Sequence, residues 1–397
     1  MKTILLIGTL DTKGQEYAFV SDLIKARGHQ VLLMNAGIFE STTQADIKAE
    51  EIAQTGGHSL AELRAKQDRG QAISVMQKGV ASLTKQLYLE GRIHAVLGLG
   101  GSGGTILATA GMRPLPVGVP KLMISTLASG DTAPYVDTKD ITMMYSVVDI
   151  AGLNRISKHI LANAAGMICG AVEQTIPLSN DKPLIAASMF GVTTPCVSKV
   201  RQRLESHGYE VIIFHATGTG GRAMEGLIAD GLVKAVADIT TTELADELIG
   251  GVLSAGDKRL ESAGQLGIPQ VVSLGALDMV NFWAMSTVPE TFRKRTLYKH
   301  NENVTLMRTT PEENQQLGQV IAKKLNLSKG KTTLVIPLKG LSMIDAEGQA
   351  FYNPEADHAL FTSLRQHLNK IKVVEVDAHI NDDLFADVFA KEMLEVL

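Results

Sequence analysis

Residues Gly98–Thr105 read GLGGSGGT, and this stretch restricts the fold more tightly than any other in the chain. Ahead of it lies the apolar run Ile93-His94-Ala95-Val96-Leu97, suited to a strand buried on both faces. Behind it, Ile106–Ala110 is small and mostly apolar, suited to the first turns of a packed helix. A strand, five glycines with one serine, and then a helix is how backbone N–H groups close on an anion. Glycine permits close approach, and the helix N-terminus adds partial positive charge. Gly100, Gly101, Gly103 and Gly104, with the hydroxyls of Ser102 and Thr105, are therefore candidate phosphate ligands. The stretch is not a Walker A loop, because no Lys-Ser/Thr pair closes it. It also departs from the dinucleotide fingerprint. Gly98-x-Gly100-x-x-Gly103 has the spacing, but Val117–Pro120 stands about twenty residues on, where an acidic ribose partner belongs. A tight strand–helix connection with no ligand is the alternative reading.

The surrounding chain alternates strands and helices. Lys2–Ile7 is an apolar strand, Gly8–Gly14 the loop leaving it, and Glu16–Arg27 carries Phe19, Val20, Leu23 and Ile24 at helical spacing. Gln30–Met34 completes a βαβ unit. Ser59-Leu60-Ala61-Glu62 is a capping box that predicts one helix running to about Glu90. Leu122–Ser125 is a further strand, and Asp149–Ala171 a closing helix. From Lys182 the plan restarts: Val233–Asp238 parallels Ile93–Gly98, and Gly267–Ser273 parallels Gly118–Ile124. This weak duplication predicts an α/β fold of two Rossmann-like, doubly wound parallel-sheet subdomains, 1–180 and 181–397, with a cleft between them. The join falls at Pro177–Pro183. In the tail, strands are expected at Thr333–Pro337 and Lys372–Val376 and helices at Ala356–Leu368 and Asp382–Leu397, while Phe282–Thr310 reads as irregular.

Charge and composition remove several function classes. A net charge of −4 with no basic block argues against nucleic-acid or anionic-membrane binding. No run of eighteen apolar residues occurs, and the opening apolar segment is too short for a signal peptide. Two cysteines, Cys169 and Cys196, with no CxxC spacing fit a reducing compartment, so the expectation is a cytoplasmic protein.

Ligands of open parallel sheets sit outside the carboxyl ends of the strands. Three loops there carry candidate cofactor-binding residues besides the glycine turn. Thr9, Asp11 and Lys13 lie in the first loop, and Ser125, Thr126, Ser129, Gly130 and Asp131 in a hydroxyl-rich one. Gly218, Gly220, Gly221 and Arg222 form a second glycine turn. Asp11 and Asp131 are candidate Mg²⁺ ligands, because Mg²⁺ at phosphate sites takes one or two carboxylates and keeps water. The plainer readings are that Asp131 caps the next segment and that Arg222 is a solvated helix-end arginine. No Ser/His/Asp arrangement or nucleophile elbow is present, so no catalytic residue is assigned.

Taken together, Gly8–Gly14, Gly98–Thr105, Gly118–Lys121, Ser125–Asp131, Asp140–Asp149, Phe282-Trp283 and Asn303–Glu312 resemble one family over essentially the whole chain. It is the uncharacterised bacterial and fungal family related to the N-terminal, ATP-binding half of the tomato mosaic virus resistance protein. The resemblance implies two Rossmann-like subdomains, ATP binding and a homodimer. The plant relative blocks a viral replication protein and carries a fused TIM-barrel-like portion. The present sequence ends without one, so joint activity would need a separate TIM-barrel-like partner. The expected function is ATP binding with Mg²⁺, in an enzyme acting on a small-molecule metabolite between the subdomains. The alternatives are a non-catalytic nucleotide-binding module that engages a protein partner, and an enzyme for phosphate esters or acid metabolites that uses no nucleotide.

Overall fold

Five parallel strands form the sheet of the first unit in the computed structural model, which describes residues 1–175 and 181–397. They are β1 (Thr3–Gly8), β2 (Gln30–Asn35), β3 (Ala95–Gly100), β4 (Lys121–Ser125) and β5 (Thr142–Tyr145), in the order β2-β1-β3-β4-β5. Side chains alternate across the sheet, so Leu5 and Ile7 enter one core and Ile4 and Leu6 the other. Both sets are fully buried, which requires helices on both faces. Helices Leu10–Ala26 and Arg155–Glu173 cover one face, and Arg69–Leu89 and Ser102–Met112 the other.

One expected helix is divided. The stretch from Ser59 to Glu90 forms two helices, Leu60–Lys66 and Arg69–Leu89. The Ser59–Glu62 capping box is present, but Gln67 turns left-handed at φ 51° and ends the first helix. Asp68 then accepts the Gln71 N–H at 3.0 Å and starts the second. The break sets Arg69 at a helix start rather than along a helix side.

The chain divides into two compact units, 1–178 and 179–397. The join expected at Pro177–Pro183 lies, for residues 177–180, outside the described residues. The second unit has β6 (Leu184–Met189), β7 (Glu210–His215), β8 (Ala235–Thr240) and β9 (Gln270–Gly275). Where irregular chain was expected, β10 (Met279–Phe282), β11 (Leu297–Asn301) and β12 (Val304–Arg308) form an antiparallel sheet ordered β10-β12-β11. The exposed Lys299-His300-Asn301 end of β11 explains why apolar alternation does not announce it. With β13 (Thr332–Pro337) and β14 (Lys372–Val376), the parallel sheet reads β14-β13-β9-β8-β6-β7. The first strand of each unit is thus flanked by the second on one side and the third on the other, the topological switch point of a doubly wound sheet.

At the first switch point, β1 pairs with β3 only as far as Ile7 and Gly98. Past that pair the Tyr17 hydroxyl takes over. It accepts the Leu99 N–H at 2.8 Å and donates to the Ile7 carbonyl. Gly8 makes room, since a Cβ there would lie 2.0 Å from the Tyr17 ring. In the second unit Ser188 does the corresponding work, its Oγ accepting the Thr240 N–H at 2.9 Å and donating to Asp238 at 2.6 Å. Tyr17→Phe keeps the ring but strands a buried N–H and a buried carbonyl. It should cost about 1–3 kcal/mol, read as a lower denaturant midpoint at unchanged slope.

Candidate functional site

A cavity of about 670 Å³ opens in the first unit at the carboxyl ends of β1, β2 and β3. Two of the anticipated loops meet there: Thr9, Asp11 and Lys13 form one wall, and Gly100–Gly104 the other. The glycine turn feeds straight into helix Ser102–Met112, whose N-cap, Gly101, offers no side chain to its first N–H groups. Those donors are the orphans of any helix start, and here they border the cavity. A Cβ on Gly101 would meet nothing closer than Thr126 Oγ1 at 3.6 Å, an ordinary contact. Gly101 is therefore not required by packing on the protein side.

The first loop is held by residues that the sequence does not single out. The stretch expected as a loop at Gly8–Gly14 turns helical from Leu10, and Asn35, at the end of β2, accepts the Leu10 N–H at 3.1 Å and the Gly37 N–H at 3.0 Å through one oxygen, tying that helix start to the loop after β2. Asp11 accepts the Phe39 N–H at 3.0 Å on Oδ2, while its buried Oδ1 has no hydrogen-bond partner among the described residues. Lys13 sits at a kink in helix Leu10–Ala26, with non-helical φ −128° and ψ 20°. Across the cavity stand Arg64, whose Nε donates to the Ile38 carbonyl, and Arg69, which the break at Gln67 delivers. An Arg69 guanidinium nitrogen lies 3.9 Å from where a Gly103 Cβ would be. Neither Lys13 nor Arg69 forms an ion pair with any described residue. The remaining lining is apolar, with Leu63, Ile73, Met76 and Leu107, and Phe39 stands 64% exposed at the edge.

Other anticipated ligands are placed elsewhere. Thr105 is fully buried, its hydroxyl 2.7 Å from Ser125 Oγ, so this pair braces β4 against the helix and neither hydroxyl faces the cavity. Ser125 also accepts the Leu127 N–H at 3.0 Å. Asp131 accepts the Ala133 N–H at 3.0 Å, a local turn one residue ahead of the helix N-cap Thr132, and no residue from Ser125 to Asp131 lines the cavity. Asp11 lines the cavity and Asp131 does not, and among the described residues no group of three or more His, Cys, Asp and Glu is disposed to hold a metal ion.

The second glycine turn is already occupied by a carboxyl group of the protein, that of Glu243, whose pKa burial pushes up and the Arg259 guanidinium pulls down. Glu243 accepts the Gly218 N–H at 2.7 Å and the Gly221 N–H at 3.0 Å on one carboxylate oxygen. Its other oxygen accepts Arg259 Nε at 2.7 Å. Arg259 is wholly buried and grips Asp238 with both terminal nitrogens, at 2.5 and 2.6 Å. A Cβ on Gly221 would fall 2.1 Å from the Glu243 carboxylate, so this glycine serves the close approach of Glu243. The Gly218 and Gly221 N–H groups expected to hold a cofactor are thus taken up by Glu243. A Cβ on Gly220 would lie 1.8 Å from the His215 carbonyl, and the Arg222 N–H closes the first helical turn onto the Gly218 carbonyl at 3.1 Å.

The uncharacterised protein family UPF0261 supplies two matching domain models, the N-terminal one over residues 2–177 and the C-terminal one over residues 182–397. A UPF0261 protein of Clostridium tetani is 53% identical over 400 residues, covering 100% of this chain and 99% of the relative. The tomato mosaic virus resistance protein Tm-1 of Solanum lycopersicum is 40% identical over 420 residues. That alignment covers 99% of this chain but 55% of the tomato protein, so the chain spans about half of it. Among solved structures, a UDP-N-acetylglucosamine 2-epimerase from Rickettsia bellii aligns over 100% of this chain and 95% of its own at 10% identity. Its TM-score is 0.23, and a likeness of that size carries no argument about this chain. No helix among the described residues is long and apolar enough to cross a membrane.

Asp246, on the same short helix as Glu243, makes the second unit sensitive to pH. Burial pushes its carboxyl up to about 7, against hydrogen bonds from the Asn281 side chain and from the Asn281 and Leu253 N–H groups. The folded state therefore holds a proton that the unfolded state releases near pH 4, and stability falls as pH rises from about 4 to about 7. Asp246→Asn should flatten part of that fall, checked by denaturant midpoints at pH 5 and pH 8.

Proposed function

The chain belongs to the uncharacterised protein family UPF0261, and we propose that its first unit binds a nucleotide, ATP with Mg²⁺, in the cavity between the first loop and the glycine turn. One observation carries the reading: Lys13 and Arg69, two cations without acidic partners among the described residues, flank the uncapped start of helix Ser102–Met112. Cations and a helix N-terminus converging on one open space want an anion, and a phosphate group satisfies all three. The place supports it too, since the β1/β3 switch point is where doubly wound sheets bind nucleotides.

The apolar side of the cavity favours a ligand with a sizeable uncharged body over a small acid phosphate. Phe39 offers a ring for a base to stack on, and Ile73 and Met76 line the space beyond. Adenine is the base that the resemblance to the tomato protein implies. In this reading Asp11, which lines the cavity, turns its buried Oδ1, without a hydrogen-bond partner among the described residues, out of the wall to share a Mg²⁺ ion whose other ligands are phosphate oxygens and water.

Isothermal titration of the full chain with ATP and Mg²⁺ tests this directly, and no heat at millimolar nucleotide counts against it. Lys13→Ala and Arg69→Ala should each weaken ATP about tenfold or more, the scale of one charge-assisted hydrogen bond. Gly101→Val should abolish binding while lowering stability by no more than about 1 kcal/mol, the cost of a poor N-cap residue, because the Cβ itself meets only Thr126 Oγ1 at 3.6 Å. Retained affinity in that variant would move the site elsewhere.

A further inference from the structure

The two units carry the same strand order but treat the crevice differently. β3 and β8 correspond, ending at Gly100 and Thr240, and the third residue beyond each is Gly103 in the first unit and Glu243 in the second. Gly103 leaves the first crevice open as part of the cavity lining. Glu243 projects into the second, where the N-cap and N3 amides of helix Thr219–Ala229 receive its carboxylate. The side chain is 0% exposed, and the contacts made by its two oxygens, two N–H groups and one guanidinium, are those an anionic ligand would take. We infer that Glu243 is a built-in ligand, a tethered carboxylate that fills the second unit's anion cradle from within and keeps phosphate in solution out of it.

Cutting Glu243 back to alanine removes the atoms of an acetate ion and leaves Gly218, Gly221 and Arg259 facing the space. Arg259 keeps its bidentate grip on Asp238, so the fold retains its buried ion pair. Free acetate should then complete the cradle. Thermal unfolding of the full chain is followed in chloride and in acetate at equal ionic strength, for wild type, Glu243→Ala and Glu243→Gln. The expected result is that Glu243→Ala melts below wild type in chloride, and that acetate raises its midpoint about 2–4 °C further than it raises wild type. Glu243→Gln, whose amide oxygen still accepts both N–H groups, should show no such excess. Equal acetate shifts in all three proteins overturn the inference. If Glu243→Ala does not fold in chloride, refolding restored by acetate supports the inference and refolding restored by neither anion overturns it. A shift of the wild-type Gly218 and Gly221 amide resonances on adding inorganic phosphate also overturns it, since the cradle would then be open. Each readout compares the second unit with its own wild type, so the result is the same whether or not the first unit takes ATP.

Discussion

Two parallel strands that part company leave backbone groups facing each other with no ladder to join them, and the first unit is organised around that gap. The Leu99 N–H and the Ile7 carbonyl lie in a fully apolar interior, where an unpaired donor is costly. The Tyr17 hydroxyl answers both at once, because a phenol accepts and donates. Burial drives that hydroxyl well above its ordinary range, so it stays protonated and keeps its donor. With the floor sealed, the loops above it separate into a crevice without exposing the core. Asn35 then repeats the device one layer up, where a single side-chain oxygen collects two loop N–H groups.

The second unit meets the same geometric problem with different chemistry. A serine bridges the strands, and its hydroxyl leads into a charged assembly of Asp238, Arg259 and Glu243. Buried ion pairs of this kind add little net stability over apolar packing, but removing one member is expensive because a charge is left behind. Such an assembly resists change piecemeal. Glu225 extends it, accepting the Leu260 N–H at 2.6 Å and the Ser262 N–H at 2.9 Å, and so fixes the loop that carries Arg259.

Much of this was legible in the chain. The buried strands announce themselves as apolar runs, and the duplication sets both halves in the same order, since a strand covered on two faces has few sequences open to it. Part of the cavity was legible as well: Thr9, Asp11, Lys13 and Gly100–Gly104 stand at strand ends and helix starts whose position follows from strand order alone. Arg69 was not, because its place depends on one left-handed residue, Gln67, in a stretch whose pattern reads as continuous helix. The sequence Asp68-Arg69-Gly70 was the available signal, an N-cap residue with a glycine two positions on. Glu243 was hidden for another reason. A glycine turn before a helix looks the same whether its guest comes from solvent or from twenty-two residues further along the chain.

An internal carboxylate at one crevice and open space at the other give the two halves different relations to their surroundings. A crevice filled by its own side chain gains no stability from the concentration of a free anion. A fold with room for a dissociable guest gains stability as the logarithm of that guest's concentration. Turnover of such a chain by proteolysis would then report on the supply of the guest through its first half alone.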